Sequence, residues 1–234
     1  MPGDHGGIMR EGFNEQPINP LPVIVWILLA PVVIGEVMFA LGGSGLAGDL
    51  AMGWRLDALQ RFAFDPGILR TMIEQNTWPP KQVARIVTYA FVHASFMHSL
   101  MVMVFILALG KMVAEAFAGW AVAVVFLGSS VIGALVYTAL GQDQAIYGGY
   151  PAVYGLVGAF TWILWTRLGE RSEGRMRAFS LIGFLLFIQL VFGLIFGARP
   201  DWMAEVAGAA AGFLLSFLVA PGGWTRALER LRRR

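Results

Sequence analysis

The sequence predicts an all-α integral membrane protein, with six transmembrane helices and one long interfacial loop between the first two. Hydrophobic residues make up 57% of the 234 positions and charged residues only 14%, which is too apolar for a soluble domain of this length. Six stretches, nearly free of charge, are each about as long as the ~20 residues that cross a bilayer. They cover residues 21–41, 86–110, 118–140, 145–166, 178–196 and 206–220.

Each stretch is apolar around its whole circumference, as in helices surrounded by lipid and by other helices. The first stretch follows an acidic-leaning segment and is about 20 residues long, so we expect a spanning helix and not a cleaved signal peptide. The chain has no cysteine, which leaves no disulfide or thiolate zinc site. Its formal charge of +2 gives no indication of nucleic-acid binding.

The basic residues predict the orientation. With the N-terminus inside, 11 Lys and Arg residues lie in inner segments and 6 in outer ones. Five of those 6 fall in the long loop after the first span, where charge bias has the least influence. We therefore expect a cytoplasmic N-terminal segment (1–20), a membrane domain (21–220) and a basic cytoplasmic tail (221–234), in a bacterial inner membrane.

The long loop, residues 43–82, mixes large apolar residues with charges at spacings typical of short amphipathic helices in the outer interface. Asp65, Pro66 and Gly67 divide it into two pieces.

Ionisable groups at membrane depth are costly, so they are the first candidates for function. They are Glu36, His93, His98 and Glu205. For Glu36 we expect an interfacial or structural role. On one ideal helix the two histidines point ~140° apart, which argues against a metal shared with Glu205. We expect no metal and no cofactor, and for His93 a hydrogen bond to loop backbone.

Glu205 shares a helix face with Gly208 and Gly212, and a face of small residues packs against another helix. The carboxylate would then point into the bundle, with Tyr150 and Tyr154 as candidate hydrogen-bond donors. The alternative is that Glu205 lies in the outer interface, near Arg199 and Asp201.

Three separated segments carry motifs of a known family. They are RIVTYAFVHASFMH at 85–98, GGYPAVYGLVG at 148–158 and AEVAGAAAGF at 204–213. In order, they resemble the entry to the second helix, the G-x-S-G segment with its following G-L-x-G, and the A-H-x-x-G-x-x-x-G segment of rhomboid intramembrane serine proteases. The resemblance covers roughly residues 51–216 and implies the rhomboid six-helix fold.

The chemistry that the resemblance implies is that of rhomboid proteases. It uses a serine nucleophile on helix 4 and a histidine base on helix 6, and a histidine and an asparagine on helix 2 stabilise the oxyanion. At the corresponding positions, Tyr150 replaces the serine, Pro151 the glycine after it and Glu205 the base histidine. On the oxyanion side, His98 matches the family's histidine and Val102 replaces the asparagine. Gly148 and His93 are the residues that the family pattern expects at their positions.

These departures predict loss of ordinary proteolysis. A hydroxyl nucleophile needs an adjacent base, and a missing oxyanion donor alone costs roughly 10²–10³ in rate. Thr161, about three turns deeper on the same helix, has no matching base.

The sequence therefore predicts a rhomboid-like pseudoprotease that contacts the lipid bilayer and binds transmembrane segments of other membrane proteins, with His93 and Tyr154 as cavity candidates. Two alternatives stay open. One is a rhomboid-type serine peptidase or altered hydrolase that uses Tyr150 and Glu205 in new roles. The other is a solute or proton pathway through Glu36, His93, His98 and Glu205.

Overall fold

The computed structural model describes residues 20–44, 53–167, 179–180, 182–184 and 200–221. Its helices are α1 (Val23–Gly43), α2 (Trp54–Phe62), α3 (Pro66–Glu74), α4 (Pro80–Thr88), α5 (Phe96–Ala114), α6 (Gly119–Ala139), α7 (Tyr150–Arg167) and α8 (Trp202–Val219). In these ranges the only β-type pairing is an isolated antiparallel bridge between Phe64 and Ile146. The predicted all-α class is confirmed.

Among the described helices, α1, α5, α6 and α8 are long and apolar enough to cross a membrane. Helix α7 has 18 residues but carries Gly, Tyr, Trp and Thr among its apolar residues, and most of its side chains are buried. It packs against α5, α6 and α8, and α1 packs against α5. Helix α7 is therefore the buried centre of the bundle.

The predicted second span, 86–110, is wrong at its start. Helix α4 ends at Thr88, a 3₁₀ turn covers Tyr89–Phe91, and α5 begins only at Phe96. The break arises because Ser95 adopts an extended backbone and its hydroxyl accepts the N–H of His98, which caps a new helix.

Two other predicted starts are also displaced. Helix α7 begins at Tyr150 and not at 145, since Ile146 pairs with Phe64 and Gly148 has a φ of +98°. Helix α8 begins at Trp202 and not at 206. The predicted fifth span, 178–196, and the two terminal segments lie almost wholly outside the described residues.

The predicted division of the long loop at Asp65 is confirmed. Helix α2 ends at Phe62, and α3 starts at Pro66, where the fixed φ of proline suits a first helical turn. The Asp65 carboxylate accepts the backbone N–H groups of Gly67 and Ile68 at 2.8 and 3.2 Å. Helix α4 was not predicted, since its residues were assigned to the loop and to the second span.

Helices α7 and α8 touch backbone to backbone. A Cβ on Gly212 would collide with the carbonyl oxygen of Gly155, and one on Gly208 with that of Pro151. Since both contacts advance by four residues, the two helices run parallel. The small residues that the sequence marks for close packing therefore pack α8 against α7.

Glu36 is buried inside the bundle, at 6% exposure, in an ion pair with α2. Arg55 donates to both carboxylate oxygens, at 2.9 and 2.7 Å, and also to the carbonyl oxygen of His93 at 2.9 Å. The hydroxyl of Ser99, on α5, donates to the same carboxylate. Of the two roles expected for Glu36, the structural one is confirmed, because the residue joins α1, α2 and α5.

We predict that Gly212→Ala lowers the free energy of unfolding by about 1–3 kcal/mol, because the added methyl group forces α7 and α8 apart. Chemical unfolding in detergent would measure the loss. Gly43→Ala is the matched control, since a Cβ there meets nothing within 4 Å. Equal effects of the two changes would contradict the close α7–α8 contact.

We predict that Glu36→Gln lowers the free energy of unfolding by about 2–4 kcal/mol, between the costs expected for exposed and for buried pairs, because Arg55 stays partly exposed. The same unfolding assay applies, with the exposed Glu74→Gln as control. A double-mutant cycle that combines Glu36→Gln with Arg55→Gln should give a coupling free energy above about 1 kcal/mol. If the losses of unfolding free energy in the two single variants simply added, the ion pair would not couple the helices.

Candidate functional site

The loop that leads into α7 is held by α3, by the turn before α3 and by the 3₁₀ turn after α4. Its residue Ile146 exchanges two backbone hydrogen bonds of 2.9 Å with Phe64, and the N–H of Gly148 donates to the carbonyl oxygen of Tyr89 at 2.9 Å. Arg70, on α3, donates to the carbonyl of Gln142 at 3.2 Å and pairs with the carboxylate of Asp143. These contacts fix the position of Tyr150, the first residue of α7.

His93 is buried and binds this loop. Its Nε2 accepts the backbone N–H of Gly149 at 3.2 Å, so the neutral ring carries its proton on Nδ1. The hydrogen bond to loop backbone expected for His93 is confirmed. Burial, together with the nearby His98, lowers the pKa of His93 to about 3.

The two histidine rings are adjacent, although on one helix they were expected to point in different directions. His93 precedes α5 and His98 lies in its first turn, so the break in the chain brings the rings to 5.1 Å, nearly perpendicular. His98 also stacks on Tyr150, with ring centroids 4.8 Å apart and planes 19° apart. In the described part of the chain, no group of three or more His, Cys, Asp or Glu residues is placed to hold a metal ion.

Small residues allow the rings to approach the loop. A Cβ on Gly148 would lie 2.6 Å from the His98 ring, and one on Gly149 would lie 2.7 Å from the Cγ1 of Val102. Val102 is fully buried, so the position implied for an oxyanion donor presents a methyl group to the loop.

Glu205 lies in the first turn of α8 and is buried, at 6% exposure, which agrees with a carboxylate directed into the bundle. It interacts electrostatically with three tyrosines, Tyr89, Tyr150 and Tyr154. The first turn of a helix favours a negative charge, because backbone N–H groups there lack partners. Tyr150 and Tyr154, the two donors suggested by the sequence, thus lie within electrostatic range of this carboxylate.

Tyr89 belongs to the same cluster, and sequence reasoning missed it. Its hydroxyl donates to the carbonyl oxygen of Ser130 at 2.7 Å, and burial, with Glu205 nearby, raises its pKa above the usual range. The sequence offered one signal for Tyr89, because this residue lies inside the motif segment 85–98. Arg55 was also missed as the partner of Glu36, and only the arginine at the start of an amphipathic helix hinted at it.

The cluster is only partly accessible. Tyr150 and His98 are half-buried, whereas Tyr154 and His93 are buried. Two cavities lie elsewhere: one of about 450 Å³ beside α3, lined by Asp65, Thr71, Gln75 and Gln82 among others, and one of about 590 Å³ between α1 and α2. Neither is lined by Tyr150 or Glu205.

Three chain segments far apart in sequence therefore meet at one site inside a helical bundle, which defines a polytopic membrane protein with a buried polar centre. Residues 80–222 match the Rhomboid domain. The chain is also similar to Rhomboid-like protease 3 of Toxoplasma gondii, 27% identical over 199 residues that cover 82% of this chain and 67% of that protein. The chain belongs to the rhomboid family and is an integral membrane protein.

We predict that stability falls in acid through His93. Because its folded-state pKa of about 3 lies below the usual 6.5, its contribution is complete above pH 6.5 and is lost as the pH falls towards 3. The pH slope of the unfolding free energy between these values should be shallower in His93→Gln, by up to about 1.4 kcal/mol per pH unit. Parallel curves for the two proteins would contradict a buried neutral imidazole.

Proposed function

We propose that this rhomboid-family protein is a pseudoprotease, which binds transmembrane segments of partner proteins without cleaving them. The observation that carries the proposal is the state of the nucleophile position. Tyr150 stands there with its ring stacked on His98, so a bulky phenol fills the space beside the histidine that the family motif places on the oxyanion side.

The surrounding groups support the same conclusion. The backbone N–H of Gly149 is taken by His93 and that of Gly148 by Tyr89, so neither is available to a developing oxyanion. Val102 offers no donor. At the base position, Glu205 carries a carboxylate in place of the imidazole that would relay a proton.

The packing that a binding module needs is retained. The α7–α8 contact through Gly155 and Gly212 is intact, and it does not depend on any catalytic side chain. A site that keeps its architecture without its nucleophile can still recognise an apolar segment.

The proposal includes six spans, with an interfacial loop after the first and both termini in the cytoplasm. The four described helices that are long and apolar enough to cross a bilayer support the count, together with α7 and the apolar sequence stretch 178–196. The site would then lie near the outer face.

Photocrosslinking and activity-based labelling test the function. With a photoreactive phenylalanine analogue in place of Tyr150, we expect crosslinks to transmembrane segments of intact membrane proteins. The same analogue in place of Trp120, which is 62% exposed at the start of α6, is the matched control and should give at most diffuse labelling. Equal capture at both positions would contradict a specific binding site.

Labelling with a fluorophosphonate probe separates this function from the alternative, an intramembrane serine peptidase or altered hydrolase. The electrostatic interaction of Glu205 with Tyr150 and Tyr154 is the observation that favours the alternative. We expect no labelling of the purified protein. Labelling that disappears in Tyr150→Phe would establish an enzyme and overturn the proposal.

A further inference from the structure

The second cavity is an apolar groove between α1 and α2, with a volume of about 590 Å³. Its α1 side includes Gly35, Met38 and Phe39, and its α2 side includes Trp54, Asp57 and Arg61. Ile34 and Met38 are 59% and 48% exposed on a helix apolar enough to span the bilayer, so lipid has direct access to the groove.

Two opposite charges lie in this lining. Asp57 and Arg61 are one helical turn apart on α2, both exposed, which places them on the same face. Within the described part of the chain, neither side chain has an ion pair or a hydrogen bond to protein. A groove with an apolar floor therefore has an unpaired carboxylate and an unpaired guanidinium at its wall.

The wall itself is held firmly. Arg55, on the same helix, is bound to Glu36, and its guanidinium lies 4.7 Å from the centre of the Phe39 ring, which lines the groove. Gly35 leaves space, because a Cβ there meets only the Phe39 ring, at 3.7 Å. The ion pair thus fixes α2 against α1 beside the groove.

We propose that this groove binds a zwitterionic aminophospholipid. One acyl chain lies in the apolar groove, the phosphate pairs with Arg61 and the ammonium group pairs with Asp57. A guanidinium matches the geometry of a phosphate, and a carboxylate accepts the ammonium N–H groups. Trp54, beside these charges, has the amphipathic ring that favours the head-group level of a bilayer.

An acyl chain suits the groove because most of the lining is apolar and exposed residues of α1 open it to the bilayer. Asp57 and Arg61 would discriminate between head groups, since a purely anionic head group has no cation to pair with Asp57. This site is independent of the Tyr150 cluster and of whether that cluster cleaves peptides.

Native mass spectrometry of the purified full chain tests the proposal with two lipids that share the same acyl chains, palmitoyl-oleoyl phosphatidylethanolamine and palmitoyl-oleoyl phosphatidylglycerol. We expect the ethanolamine lipid to bind about tenfold more tightly, which corresponds to one charge-assisted hydrogen bond. The double change Asp57→Asn with Arg61→Gln should remove this preference. The matched control, Glu74→Gln with Lys81→Gln, alters the same charges on exposed residues outside the groove and should preserve it.

Gly35→Leu tests the place of the acyl chain, because the larger side chain fills the groove. We expect it to weaken binding of both lipids at least tenfold. Equal binding of the two lipids by the wild-type chain would overturn the head-group assignment, and so would a preference that survives in the Asp57 and Arg61 double variant. If a folded Gly35→Leu protein bound both lipids normally, the groove would not be the site. The double variant changes only exposed side chains, so its result decides the proposal even if Gly35→Leu does not fold.

Discussion

The site depends above all on the backbone contact between α7 and α8. Glycines at 158, 208 and 212 leave no Cβ between the two helices, so carbonyl groups of one meet the Cα atoms of the other. Glu205 lies one turn before Gly208, and Tyr150 lies next to Pro151, which Gly208 touches. A wider spacing would separate the carboxylate from the tyrosines. The same contact would be required whether the site cleaves peptides or only binds them.

The chain between α1 and α5, with α2, α3 and α4, is a second constraint, because it holds the parts of the site that α7 and α8 do not. Arg55 connects Glu36 of α1 with the backbone of His93, and the bridge between Phe64 and Ile146 holds the loop before Tyr150. The segment between the first two spans is therefore more than a connection. It sets the positions of His93 and of the loop at Gly148, and it also forms one wall of the groove beside α1.

Much of this organisation could be predicted from the sequence, and the failures have physical causes. Hydropathy predicted the apolar helices, and turn residues predicted the division at Asp65, since both signals are local. The break before α5 was missed because Tyr89 and Phe91 are as apolar as helix residues, while the extended backbone at Ser95 depends on a cap. This one error also misplaced His93 relative to His98. Residues of the site such as Tyr89 were missed for a related reason, because nothing local distinguishes a core tyrosine from one beside Glu205.

By itself, the sequence determined the class of protein, since hydropathy and three motif segments are properties of composition and order along the chain. Through the motif resemblance it also predicts that Tyr150, Val102 and Glu205 stand at positions of the family's functional residues. Only the tertiary structure decided that Glu36 pairs with Arg55, that the rings of His93 and His98 are adjacent, and that Glu205 interacts electrostatically with three tyrosines. These relations join residues from separate helices, so their distances follow from how closely the helices pack, which depends on the shapes of all the side chains between them.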